Sequence, residues 1–183
     1  EMCIRDRGRT SLNMTAETTL ALSSHQNIVG IKEASSDLGQ ITSIISESSG
    51  TDFRVWSGND DETFSIMALG GFGVVSVASN IVGVQINRMI GSILEGSIES
   101  AADQHKELIP LFQGLFWITN PILIKRALNL SGFEVGGLRL PMKDSDELNR
   151  DFSELLSNLG YSCDSLGDKD NQVIKPTFIQ YKD

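Results

Sequence analysis

Short apolar runs alternate with stretches of helical period over the first half of the chain, and this alternation predicts repeated strand-helix units. The run Ile28-Val29-Gly30-Ile31 is β-branched or small, a composition suited to a strand buried on both faces of a parallel sheet. Asp37 is placed to cap a helix with Leu38, Ile41, Ile44 and Ile45 on one face, and Gly50 lies just beyond its end. Phe53 to Trp56 predicts a second strand, closed by the turn cluster Ser57-Gly58-Asn59-Asp60, which also starts a helix from Glu62 to Leu69. Beyond Gly70, Gly71 and Gly73, a third strand is expected over Val74 to Ala78, and Asn80 opens a helix carrying Ile81, Ile86, Met89 and Ile90. Upstream, Asn13 or Ser11 can cap a helix over about Thr15 to Ser23.

Repeating βα units imply an α/β fold with a parallel sheet, either open and doubly wound or closed as a barrel. From Ser97 the strand pattern stops. A helix is expected over Ala101 to Trp117, with Leu108, Leu111, Phe112 and Leu115 as its core stripe and Pro110 kinking or dividing it. Asn120-Pro121 restarts a helix through Ile122, Ile124, Ala127 and Leu128. Asp144 or Ser145 can cap a last helix, Glu147 to Asn158, that Gly160 closes. Residues 161 to 183 are mostly polar without periodicity, which predicts a loose tail, and the opening EMCIRDR reads as foreign to the domain or frayed. The organisation expected is thus residues 8 to 96 as βα units, 97 to 160 as a helical extension, and two loose ends.

Composition narrows the classes of function. A net charge of −9 with no visible cluster of Lys and Arg argues against nucleic acid or an anionic membrane as partner. The two cysteines, Cys3 and Cys163, lie near opposite ends without CxxC or Cys/His spacing, so neither a disulfide framework nor a zinc site is indicated, and a cytoplasmic protein is expected. No apolar run approaches the length of a membrane span. No GxGxxG or GxxxxGK follows a strand, which leaves dinucleotide and P-loop phosphate binding unsupported.

The candidate chemistry centres on Lys32, which ends the first strand. Alternation puts Ile28, Gly30 and Lys32 on one face, with Gly30 leaving space beside the amine. A lysine in apolar surroundings has its charged form destabilised, and the neutral amine is a nucleophile for carbonyls. A Schiff-base lysine and a strand-end lysine that snorkels to solvent both remain open. Lys32, the Ser57 to Asp60 turn and the Ser76 to Asn80 segment all fall at the carboxyl ends of strands, the side where βα folds build sites. Arg9 stands where a guanidinium can clamp a carboxylate, or simply face solvent. Asn59, Asp60 and Asp61 read first as a helix cap, and His25 and His105 as structural or exposed.

The segments GRTSLNMTAET, NIVGIKEASSDL, SGNDDET, GGFGVVSVASN, NPILIKRAL and GGLRLPM occur in that order, and together the chain resembles the later half of the dihydrodipicolinate synthase family. That family is similar in fold and lysine chemistry to N-acetylneuraminate lyase, and GGLRLPM and SGNDD favour the synthase. The resemblance implies a partial (β/α)₈ TIM barrel, about strands six to eight, followed by a helical C-terminal extension. It implies that Lys32 forms a Schiff base with pyruvate, whose enamine attacks aspartate semialdehyde. Arg9 would bind the aldehyde's carboxylate, the Val75 carbonyl would lie beside pyruvate, Gly58 and Asn59 would line the pocket, and Asn120 would support it from beneath. No metal or organic cofactor is implied, and the parent enzyme would be a homotetramer. Ile4 stands where the family pattern carries a tyrosine that relays protons. A complete barrel takes about 250 residues, so the chain resembles a truncated enzyme, expected to be inactive alone.

Overall fold

The computed structural model describes residues 12–143 and 145–161, in the order α1 (Ala16–Ser23), β1 (Gly30–Glu33), α2 (Leu38–Glu47), β2 (Arg54–Ser57), a 3₁₀ turn (Asp60–Glu62), α3 (Thr63–Ala68), β3 (Gly73–Val74), α4 (Ser79–Leu94), α5 (Ile98–Gly114), α6 (Ile122–Leu130) and α7 (Asp146–Asn158). Residues 1–11 and 162–183, with Arg9, Ile4, Cys3 and Cys163, lie outside the described residues, as does Asp144. Two compact units form: one from the residues up to Ser76 together with Met89–His105, the other from Val77–Arg88 together with Lys106 onward. No described helix is long and apolar enough to cross a membrane.

The first unit holds a three-stranded, wholly parallel sheet in the order β1-β2-β3, with Lys32 paired to Trp56 and Trp56 to Gly73. Burial alternates along β1 and β2: Ile31, Glu33, Val55 and Ser57 are buried, whereas Gly30, Lys32, Arg54 and Trp56 are half-buried. The expectation of a first strand buried on both faces therefore fails. Apolar side chains of α2 and α3 pack on one face only: Ile31, Val55 and Phe53 join Ile41, Ile44 and Ile66 in a single cluster. Val29, counted among the buried positions, is 68 % exposed just before β1 begins.

The helix after β1 forms as its pattern predicts, because Asp37 accepts from the Gln40 N–H and its period-3.6 apolar face meets the sheet. Elsewhere tertiary context shifts the boundaries. Thr15, not Asn13, caps α1, since its hydroxyl accepts from the Thr18 N–H while the Asn13 amide is bonded to Gln40. The third strand covers only Gly73 and Val74 instead of Val74 to Ala78. Just past it the Val75 N–H still donates to Ser57 O at 2.8 Å; Ser76 then bonds Asp60, and Ala78 already accepts from Ile81 and Val82 in a helical turn. The helix expected from Glu62 begins as a 3₁₀ turn and becomes α-helical at Thr63.

In the second unit Leu108, Leu111 and Phe112 of α5 and Leu115 just beyond it are buried, as are Ile122, Leu123, Ile124 and Ala127 of α6 and Phe152 and Leu156 of α7. Pro110 does not divide α5, which runs unbroken from Ile98 to Gly114. Buried apolar residues on both sides of the proline hold the helix against the lost hydrogen bond. The break falls instead in α4, at Val82 (φ −125°, ψ 32°). Gly114 lets α5 and α7 approach closely, since a Cβ there would collide with Leu155. Ser145 caps α7 by accepting from Leu148 N–H, and Gly160, at φ 80°, follows the helix end.

Candidate active site

The carboxyl ends of β1 and β2 lie side by side, and the register fixes what meets there. Glu33 pairs with Ser57, and the Gly58 N–H donates to Glu33 O at 2.6 Å, so the turn after β2 is stitched to the end of β1. This seam brings Gly58 against the lysine. A Cβ on Gly58 would sit 2.9 Å from Lys32 Cε, 2.7 Å from Ala34 Cβ and 3.0 Å from Glu33 O. Only a residue without a side chain fits beside this amine-bearing stem.

The space assigned to Gly30 is not beside the amine. The Trp56 indole occupies it: a Cβ on Gly30 would collide with Trp56 Cζ3 and with Arg54 O, and the indole also lies over Gly73 on the other side. Trp56 meets Phe72 edge to face with ring centroids 5.2 Å apart, and the Arg54 guanidinium stands 5.8 Å from the Phe72 centroid. Lys32 thus projects from the half-buried face next to an indole flanked by glycines, at the end where the strands open into turns.

Asn59 follows Gly58, and its side chain is committed to the turn. Its side-chain amide donates to Glu62 Oε2 at 3.0 Å and to Ser36 Oγ at 3.3 Å, while the Asn59 backbone carbonyl accepts from the Ser57 hydroxyl at 2.7 Å. Ser36 holds a positive φ of 60°, uncommon away from glycine, so the loop after Lys32 is fixed in a tight left-handed bend. Asn59 takes the N-cap position of the 3₁₀ turn, with Asp60 and Asp61 in its first turn, but it makes no side-chain cap bond. Asp60, 3 % exposed, instead accepts from the Ser76 hydroxyl and ties the loop after β2 to the loop after β3. Val75 lies between these bonds with its side chain 38 % exposed.

The structure thus brings Lys32, Gly58 and the Asn59 backbone together, with Val75 joined to the same turn through Ser57; Arg9 falls outside the described residues. One buried carboxylate escaped the sequence reading. Glu33 closes β1, where an apolar residue was the natural expectation, and an acidic residue directly after a strand-end lysine was the available signal. His25 is exposed, whereas His105 stacks on Phe64 at 5.5 Å between centroids. Burial pushes the His105 imidazole below its usual range, against the pull of the Asp61 carboxylate.

Comparison with known proteins decides the family. The model of the dihydrodipicolinate synthetase family matches residues 5–158. The chain belongs to the dihydrodipicolinate synthetase family. A curated relative, the 4-hydroxy-tetrahydrodipicolinate synthase of Dehalococcoides mccartyi, is 53% identical over 139 residues, covering 76% of this chain and 46% of the relative. The chain therefore spans about half the length of the curated relatives it matches. Among solved members of the family, the dihydrodipicolinate synthase of Thermotoga maritima superposes with a TM-score of 0.81 at 39% identity, over 86% of this chain and 55% of that one. The enzyme of Acinetobacter baumannii, solved in complex with pyruvate, gives a TM-score of 0.80 at 28% identity over 86% and 54%.

Proposed function

We propose that Lys32 is the Schiff-base lysine of a pyruvate-dependent lyase of class I aldolase type, condensing pyruvate with aspartate semialdehyde in lysine and diaminopimelate biosynthesis. The observation that carries the reading is the place of Lys32 at the carboxyl end of β1, its Cε against Gly58, in a chain of this family. The Lys32 amine adds to the keto carbon of pyruvate and water leaves, giving a protonated imine. The imine draws electrons from the adjacent methyl, which loses a proton, and the resulting enamine carbon attacks the aldehyde. The imine nitrogen is the electron sink, so the reading calls for no metal and no organic cofactor. In it the Val75 carbonyl lies beside pyruvate, Gly58 and Asn59 line the pocket, and Arg9 binds the aldehyde's carboxylate.

The same reading takes β1 to β3 as strands six to eight of a (β/α)₈ barrel, the helices from residue 97 to 160 as its C-terminal extension, and the parent enzyme as a cytoplasmic homotetramer. A parallel sheet packed by helices on one face, in a chain covering 55% of a solved relative, supports it. That span also favours a second reading, in which the chain alone is an inactive half-barrel that at most assembles with itself or a partner.

Borohydride reduction in the presence of pyruvate tests the first reading, with peptide mapping by mass. The expected result is a reduced pyruvate adduct on Lys32 that is lost in Lys32→Arg; an unlabelled Lys32 sinks it. Turnover of aspartate semialdehyde by the 183-residue chain alone would refute the half-barrel reading.

A further inference from the structure

Glu33 points away from Lys32. Strand alternation puts it on the helix-packed face with Ile31, where it is 2 % exposed beside an otherwise apolar cluster. Burying a carboxylate there costs free energy unless hydrogen bonds replace its water shell. Three donors do so. The N–H groups of Ala34 and Ser35 each reach Oε1 at 2.9 Å, and the Gln40 side-chain amide reaches Oε2 at 3.1 Å. Gln40 continues the chain of bonds, donating to Met14 O at 3.1 Å and accepting from the Asn13 amide at 2.7 Å. One carboxylate therefore ties the turn directly after Lys32 to the first turn of α2, and through Gln40 to the entry of α1, which is distant in sequence.

We propose that Glu33 is a positioning residue for Lys32, and that the Glu33–Gln40 pair sets the direction in which the amine leaves β1. The physical case rests on what each bond holds. The two backbone N–H bonds freeze the peptides immediately after Lys32, which fixes the strand end from which its side chain departs. The Gln40 bond sets where that turn sits against α2 and against Asn13, just beyond Arg9 in the sequence. An apolar residue at position 33 would fill the same space without holding any of the three. Because the carboxylate lies on the opposite face of the strand, it acts through the backbone and does not touch a substrate bound at the amine.

The proposal rests on the Schiff-base reading for its chemical readout, and the test separates the two. The variants are Glu33→Gln, Gln40→Met and the exchange Glu33→Gln with Gln40→Glu. Glu33→Gln has one oxygen where the carboxylate has two, so it answers either the two N–H groups or the Gln40 amide and turns an NH₂ against the other. Gln40→Met leaves the backbone bonds and removes the link. The exchange reverses and restores the bond between positions 33 and 40, with the carboxylate at 40 still accepting from the Asn13 amide but no longer donating to Met14 O.

At saturating pyruvate, both single variants should slow borohydride labelling of Lys32 by about tenfold, since small misplacements of a reacting group carry costs of that order. The exchange should return the rate to within about twofold of the wild type, whatever its melting temperature does. Single variants that label at the wild-type rate, or an exchange that regains stability without regaining the rate, would overturn the proposal. Should the wild-type chain itself give no adduct, the Schiff-base reading fails and amide exchange still decides the clamp. Ala34 and Ser35 must then lose protection in Glu33→Gln and recover it in the exchange variant; unaltered protection refutes the clamp.

Discussion

Replacing Gly58 by alanine adds one methyl group at the seam between β1 and β2, and its cost follows from the distances there. The new Cβ would lie 2.7 Å from Ala34 Cβ, 2.9 Å from Lys32 Cε and 3.0 Å from Glu33 O. The Lys32 contact is cheap to relieve, because the end of a long side chain can swing aside. The other two are not, since Ala34 Cβ is rigidly attached to its backbone and Glu33 O accepts the Gly58 N–H at 2.6 Å. The Ala34 contact falls about 0.7 Å inside the close limit of ordinary van der Waals distance, so the turn after β2 must move or the seam must open. Overpacking of this kind costs about 1–3 kcal/mol. Urea denaturation followed by circular dichroism measures it as a lower midpoint at unchanged slope. Pyruvate labelling of Lys32 should fall as well, because the amine is displaced along with the turn. A Gly58→Ala chain with the wild-type midpoint and wild-type labelling would refute the argument, for it would mean that the β2 turn does not press on Lys32.

Two further predictions come from other parts of the molecule. Burial holds the folded-state His105 pKa below its usual value near 6.5, so the unfolded chain binds more protons in the window just below that value. Stability from this group is complete above about pH 6.5 and is lost as pH falls through the lowered folded value; His105→Gln should flatten the decline in urea midpoint between about pH 7 and pH 5.5, and an unchanged decline would assign it elsewhere. Gly91 lies inside α4, and among the described residues no atom outside its own helical turn and chain neighbours comes within 4 Å of the position its Cβ would take. Gly91→Ala should therefore stabilise the chain by about 0.5–1 kcal/mol through helix propensity, seen as a raised urea midpoint, and a fall would reveal a contact at that face.

Some features were readable from the sequence because they are local or periodic. The helix from Leu38 with its Asp37 cap, the succession of βα units that makes the sheet parallel, and Lys32 at a strand end all follow from spacings within a few residues, which the backbone enforces wherever the segment finds itself. The ordered motifs carried the family, as residues 5–158 bear out. What only the tertiary structure decided involves partners far apart along the chain. Trp56 fills the space over Gly30, Ser76 ties Asp60 to the loop after β3, and Gln40 takes the Asn13 amide and leaves the cap of α1 to Thr15. Pro110 stays within a helix because buried residues flank it, and Glu33, whose own donors lie within seven residues, is tied through Gln40 to Met14 and Asn13. No periodic pattern encodes such meetings, since each is set by which elements pack together and at what register. Those meetings decide how Lys32 is held.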